Sequence, residues 1–219
     1  MARLEDFTIM TPRPLPVLVL ADTSGSMSVD GKIEALNDAL HEMIASLAEE
    51  EGRAEIEVAI VTFGGASAVL HTPLTPAWKV ALASPLAAAG KTPMGGAFGI
   101  AQEMLEDRDQ IPSRAYQPTL VLVSDGQPTD DWRTPLQELL GSPRASKAVR
   151  LALAIGGDAN REVLDAFLAG SSRLLEAHES RTIKTFFRWV TMSVSSRSRS
   201  LDPDSPDSIE PLDFGEIDF

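Results

Sequence analysis

The chain has 219 residues, room for one domain with a little left over. It contains no cysteine, which excludes disulfides, thiolate metal sites and cysteine nucleophiles. A net charge of −13 argues against nucleic acid as a partner, because phosphate binding needs a basic face.

The opening MARLEDFTIM lacks the apolar stretch of a signal peptide, and no apolar run approaches the ~20 residues of a membrane helix. The expectation is a cytoplasmic protein with no membrane contact. Residues 1–14 read as an N-terminal extension. Hydrophobic residues make up 43% of the chain but aromatics only 5%, so the core is built from Ala, Val, Leu and Ile.

Residues 15–21, LPVLVLA, form a short apolar run that fits a strand buried on both faces. From Lys32 to Glu50, apolar residues recur at helical spacing: Ile33, Leu36, Leu40, Met43, Ile44 and Leu47. Residues 54–63 read as a second strand. Residues 66–74 read as a third, joined to it by a Gly-Gly turn. A helix is expected over 94–105, weakened by three glycines, then a buried strand over 118–124. A short helix over 132–140, a strand over 149–155 and helices over 161–169 and 183–194 complete the pattern. Alternation of strand and helix predicts an α/β fold. Its sheet is doubly wound and mostly parallel, with helices on both faces and one antiparallel edge strand. The domain is expected to span residues 15–194. Residues 195–219, Ser-rich and then acidic, read as a flexible appendage. From Leu201 onward they hold seven acidic residues and no Lys or Arg.

Two buried strands end in an acid, Asp22 and Asp125. In such sheets ligands bind beyond the carboxyl ends of the strands, where the strand order reverses. Asp22 opens the run Asp22-Thr23-Ser24-Gly25-Ser26-Met27, an acid and two serines at alternate positions. Carboxylate and hydroxyl oxygens are hard ligands that suit Mg²⁺, with Mn²⁺ or Ca²⁺ as alternatives, rather than Zn²⁺.

Together with Thr92 and Asp125, this set resembles the metal-ion-dependent adhesion site of von Willebrand factor A domains. The resemblance covers residues 15–194. It implies that Ser24, Ser26 and Thr92 supply hydroxyl ligands, that Asp22 and Asp125 act directly or through water, and that one position stays open for a partner's carboxylate. It implies a binding module rather than an enzyme. A cation held by neutral hydroxyls and only two acids keeps net attraction for an anion. The stretches LPVLVLADTSGSM, VTFGGASAVLHTPLTP, SDGQPTDDW and FFRWVTMSVSSRSRS are similar to the TerY-like proteins of tellurium-resistance and stress-response operons. That likeness implies an adaptor working beside a kinase-like protein or a PP2C-type phosphatase.

Each residue also has a plainer reading. Asp22, Ser24 and Ser26 are ordinary turn and cap residues, and Thr92 before Pro93 reads as a helix N-cap. Asp130 and Asp131 fit as caps of the helix they precede, and Trp132 as core or rim. Met27, Asp130, Asp131 and Trp132 are also candidates for partner contact. His41, His71 and His178 are scattered and read as structural. Gly90-Lys91-Thr92 mimics the end of a phosphate-binding loop, but Pro85 stands where that pattern needs glycine. A Mg²⁺-dependent phosphohydrolase of the haloacid-dehalogenase type is the rival reading. It needs an acid two residues after Asp22, where Ser24 stands. A carboxylate of the acidic tail reaching the metal site is a further expectation to be weighed.

Overall fold

The computed structural model describes residues 12–82, 84–170, 174–177 and 179–205. In chain order the elements are β1 (Arg13–Asp22), α1 (Lys32–Ala48), β2 (Ala54–Gly64), β3 (Ser67–Pro76), α2 (Met94–Glu106), β4 (Thr119–Ser124), α3 (Arg133–Gly141), β5 (Val149–Ile155), α4 (Arg161–Leu168), β6 (Leu175–Ala177) and α5 (Ser180–Arg199). The sheet order is β3-β2-β1-β4-β5-β6. All neighbours are parallel except β2 and β3, so β3 is the antiparallel edge strand that the Gly-Gly turn predicts.

Between Arg13 and Asp22, β1 is apolar because both of its faces are covered. Leu15, Val17, Val19 and Ala21 pack with α1 and α5 on one side of the sheet. Leu18 and Leu20 pack with α2, α3 and α4 on the other. Burying one such leucine contributes roughly 1.5–3 kcal/mol, and a run of them holds the strand at the sheet's centre. The sheet reverses between β1 and β4, which lie side by side and run the same way. Their carboxyl ends carry Asp22 and Asp125 to one edge of the molecule.

Three features differ from the sequence reading. β6 is only three residues long and was not expected; its pairing with β5 over 153–155 creates it, not any local pattern. The glycines of α2 do not weaken it for lack of purpose. A Cβ on Gly95 would lie 2.0 Å from the Asp131 carbonyl oxygen, so glycine lets the loop after β4 rest against the start of this helix.

The expected flexible appendage is corrected in its first part, since α5 runs on to Arg199. Arg197 is buried and donates to the Pro203 carbonyl at 2.9 Å, Thr119 Oγ1 at 2.7 Å and the Gln117 carbonyl at 2.8 Å. Burial pushes its guanidinium down to about 10, which leaves it charged at neutral pH. The expected boundary at residue 195 therefore falls inside a packed helix. Residues 1–11 and 206–219, with most of the acidic tail, lie outside the described residues. Among those described, no helix is long and apolar enough to cross a membrane.

Candidate metal and partner site

The site forms where β1 and β4 end. Asp22, the last residue of β1, is fully buried. Its Oδ1 accepts the Ser24 N–H at 2.8 Å, which folds the chain back on itself. Its Oδ2 accepts the Ser124 hydroxyl at 2.5 Å. Burial pushes the carboxyl up, while the Ser124 and Ser24 hydrogen bonds oppose that shift. After the turn, Gly25–Ser28 makes one turn of 3-10 helix, which projects Ser26 outward while Met27 enters the core. Ser24 is buried and Ser26 exposed, yet their hydroxyls lie 3.0 Å apart. Ser26 Oγ in turn donates to Asp125 Oδ1 at 2.6 Å.

Thr92 arrives from a different part of the chain, and backbone contacts place it. The Ala89 N–H donates to the Thr23 carbonyl, and the Gly25 N–H to the Gly90 carbonyl. Gly65 N–H donates to the Ala89 carbonyl and Lys91 N–H to the Gly65 carbonyl. Gly90 has φ +66°, and a Cβ there would sit 2.6 Å from Gly65 Cα, so only glycine lets these segments meet. The Thr92 hydroxyl does not cap α2. That role falls to Asp130, whose carboxylate accepts the N–H groups of Gly95 and Gly96, each at 3.0 Å. Asp130 was expected to cap the helix it precedes. Only Asp131 does so, accepting from Arg133 N at 3.1 Å.

A point just off Gly126 Cα, where a Cβ would stand, is 3.4 Å from Thr92 Oγ1, 3.6 Å from Ser26 Oγ and 3.9 Å from Asp22 Oδ2. Three oxygens from three segments thus converge on one small space, with Ser24 Oγ and Asp125 Oδ1 bonded to its edge. The donor set is all oxygen, rich in neutral hydroxyls and limited to two acids. Among the described residues no His or Cys joins it, and no group of three acidic or histidine side chains gathers elsewhere. A hard divalent cation fits that chemistry.

All five expected ligand residues are brought together. The expected partner contacts are placed differently. Met27 is fully buried and Trp132 is 8% exposed, both in the core, so neither side chain is presented to a partner. Asp130 and Asp131 are exposed but engaged as helix caps. His41 and His71 are exposed and away from the cluster, and His178 lies outside the described residues. The sequence reading missed Lys32, whose Nζ lies 2.7 Å from Asp125 Oδ2. Its only signal was position, as the first residue of the helix that follows the Asp22 loop.

The architecture and the placement of the oxygens define a doubly wound α/β protein with a site at the switch point of its sheet. A sequence profile for the von Willebrand factor type A domain matches residues 17–127, just over half of the chain. The chain belongs to that family. No curated protein sequence matches it.

Among solved structures it is similar to proximal thread matrix protein 1 from the mussel byssus, described with a zinc-occupied MIDAS motif. The identity is 17% and the TM-score 0.64, over 83% of this chain and 48% of that one. It is also similar to the ArnB paralog VWA2 from Sulfolobus acidocaldarius, at 16% identity and TM-score 0.60, over 86% and 46%. A von Willebrand factor type A protein from Catenulispora acidiphila matches at 22% identity and TM-score 0.64, over 85% and 44%. At these identities the likeness concerns the fold. The chain spans about half the length of these proteins.

Proposed function

We propose that the chain is a non-enzymatic binding module that holds one divalent cation, Mg²⁺ by preference, and through it captures an Asp or Glu side chain of a partner protein. The observation that carries this reading is the convergence of Asp22, Ser24, Ser26, Thr92 and Asp125 oxygens at the β1–β4 switch point. Ser24, Ser26 and Thr92 would hold the cation through hydroxyls. Asp22 and Asp125, whose oxygens already accept protein hydrogen bonds, would anchor those hydroxyls and neutralise charge from outside. A bound cation supplies an electrophilic position at which a partner's carboxylate replaces water. Among the described residues no histidine joins the cluster, and the Ser26 hydroxyl that donates to Asp125 is assigned to the cation, which favours binding over turnover.

The resemblance of four stretches to TerY-like proteins supports a finer reading. It is an adaptor in a tellurium-resistance or stress-response system, with a kinase-like or PP2C-type protein as partner, working in the cytoplasm. That reading rests on the resemblance alone.

The test is a calorimetric titration of Mg²⁺, Mn²⁺ and Ca²⁺ into wild type, Asp22→Ala and Ser24→Ala, with melting followed in parallel. Wild type is expected to bind one ion and melt higher with it, and both folded variants to lose that binding. Equal binding by the variants would refute the site.

A further inference from the structure

Lys32 is part of this cluster and no part of the ligand set. It is the first residue of α1, and the two residues before it, Asp30 and Gly31, have φ of +57° and +69°. This left-handed pair turns the chain sharply enough that α1 begins beside the site. The Lys32 side chain is 18% exposed, and its ammonium lies against Asp125, whose side chain is fully buried. Nζ also lies 3.8 Å from where a Cβ on Gly156 would be, at the exit of β5. Both oxygens of Asp125 are thereby engaged, Oδ1 by the Ser26 hydroxyl and Oδ2 by Lys32.

We propose that Lys32 is a built-in counter-cation. It holds Asp125 out of direct ligation and leaves a bound metal ion with charge that selects a carboxylate partner. This inference rests on the metal-binding reading above. Asp22 and Asp125 together offset the formal charge of a divalent cation, so the net attraction for an anion expected from the sequence requires a further positive charge. With Lys32 paired to one of them, a positive charge is left over in the loaded site. The consequence has two opposite signs. The ammonium repels the incoming cation and competes with it for Asp125, so it weakens metal binding. It strengthens the attraction of the loaded site for an anion. Charges this close and this poorly solvated interact far more strongly than exposed pairs do. Lys32 thus trades cation affinity for partner affinity, and stabilises the metal-free protein by satisfying Asp125.

The experiment uses Mn²⁺ on the full chain, with Lys32→Met and Lys32→Gln, which remove the charge, and Lys32→Arg, which keeps it. Mn²⁺ affinity is read by calorimetry. Carboxylate capture is read from the loss of Mn²⁺-enhanced water proton relaxation as acetate is added. Both neutral variants are expected to bind Mn²⁺ about tenfold tighter or more, to respond to acetate more weakly, and to melt lower without metal. Lys32→Arg is expected to track wild type in all three. Unchanged or weaker Mn²⁺ binding in a folded neutral variant overturns the proposal. So does an undiminished acetate response. If wild type itself binds no Mn²⁺, the metal-site reading fails and this inference goes with it, a result distinct from binding that is insensitive to Lys32.

Discussion

Each residue at the end of β1 and β4 works through an oxygen whose other partners are already arranged. Asp22 is held by Ser24 and Ser124, and Asp125 by Ser26 and Lys32. Thr92 stands apart from this network. No hydrogen bond among the described residues engages its hydroxyl, although the residue is only 6% exposed. That hydroxyl borders the space shared with Ser26 and Asp22, where an oxygen with no protein hydrogen bond is placed to ligate a cation. Thr92→Val, which keeps shape and removes that oxygen, is therefore expected to weaken Mg²⁺ binding by about tenfold or more, the effect of losing about 1.4 kcal/mol of ligation. Folding should be unaffected, and Thr92→Ser should bind near wild type. Calorimetry on the three proteins checks it. Equal affinity in Thr92→Val would remove Thr92 from the ligand set.

Among the elements, α2 depends on a residue far away in sequence. It begins with Pro93 as its N-terminal flanking residue and has no side-chain cap of its own. Asp130 fills that role from the loop after β4, accepting two backbone N–H groups. The arrangement ties the Thr92 loop to the Asp125 loop, because the Thr129 hydroxyl also accepts the Thr92 N–H at 3.1 Å. Asp130→Ala is expected to cost about 1 kcal/mol of stability, lowering the melting temperature by roughly 3 °C for a chain of this size. Metal affinity should fall with it, since Thr92 loses a support. A melt that shifts without any change in metal affinity would confine Asp130 to capping. An unchanged melt would contradict the cap.

At the scale of the whole molecule, α5 closes the structure by returning to the opposite end of the sheet from the site. Arg53 N–H donates to the Ser198 carbonyl at 2.8 Å. The Arg199 guanidinium forks onto both oxygens of Glu50, at 2.5 and 2.8 Å. The Arg199 hydrogen bonds hold the Glu50 carboxyl below its ordinary value, against the opposing effect of burial. A carboxyl whose folded value is depressed adds stability that is fully present above the unfolded value of roughly 4.3. That stability is lost as pH falls through the lower folded value. Glu50→Gln is therefore expected to be less stable than wild type by a constant margin above about pH 5. The margin should shrink at more acidic pH, as urea unfolding at a series of pH values would measure. A margin that stays constant down to pH 3 would mean that Glu50 and Arg199 do not interact in solution.

Elements whose causes are local were legible in the sequence. Apolar runs too short for helices gave β1 and β4, the helical stripe gave α1, and the Gly-Gly turn gave the antiparallel edge. The oxygen-rich character of the candidate site was legible too, because Asp22, Ser24 and Ser26 follow one another at alternate positions where β1 ends. Features that depend on contacts between distant segments left no local signal and emerge only when the chain folds. β6 exists because β5 offers it an edge. Residues 195–199 are helical because buried acceptors at Gln117, Thr119 and Pro203 await Arg197, although SSRSRS read alone is polar and without period. Met27 and Trp132 went to the core because burying a large apolar side chain outweighs presenting it to water. Asp130 caps α2 rather than its own neighbour because a loop from β4 packs against Gly95. Lys32 meets Asp125 across 93 residues of chain only because a parallel sheet brings the loops after β1 and β4 to the same edge.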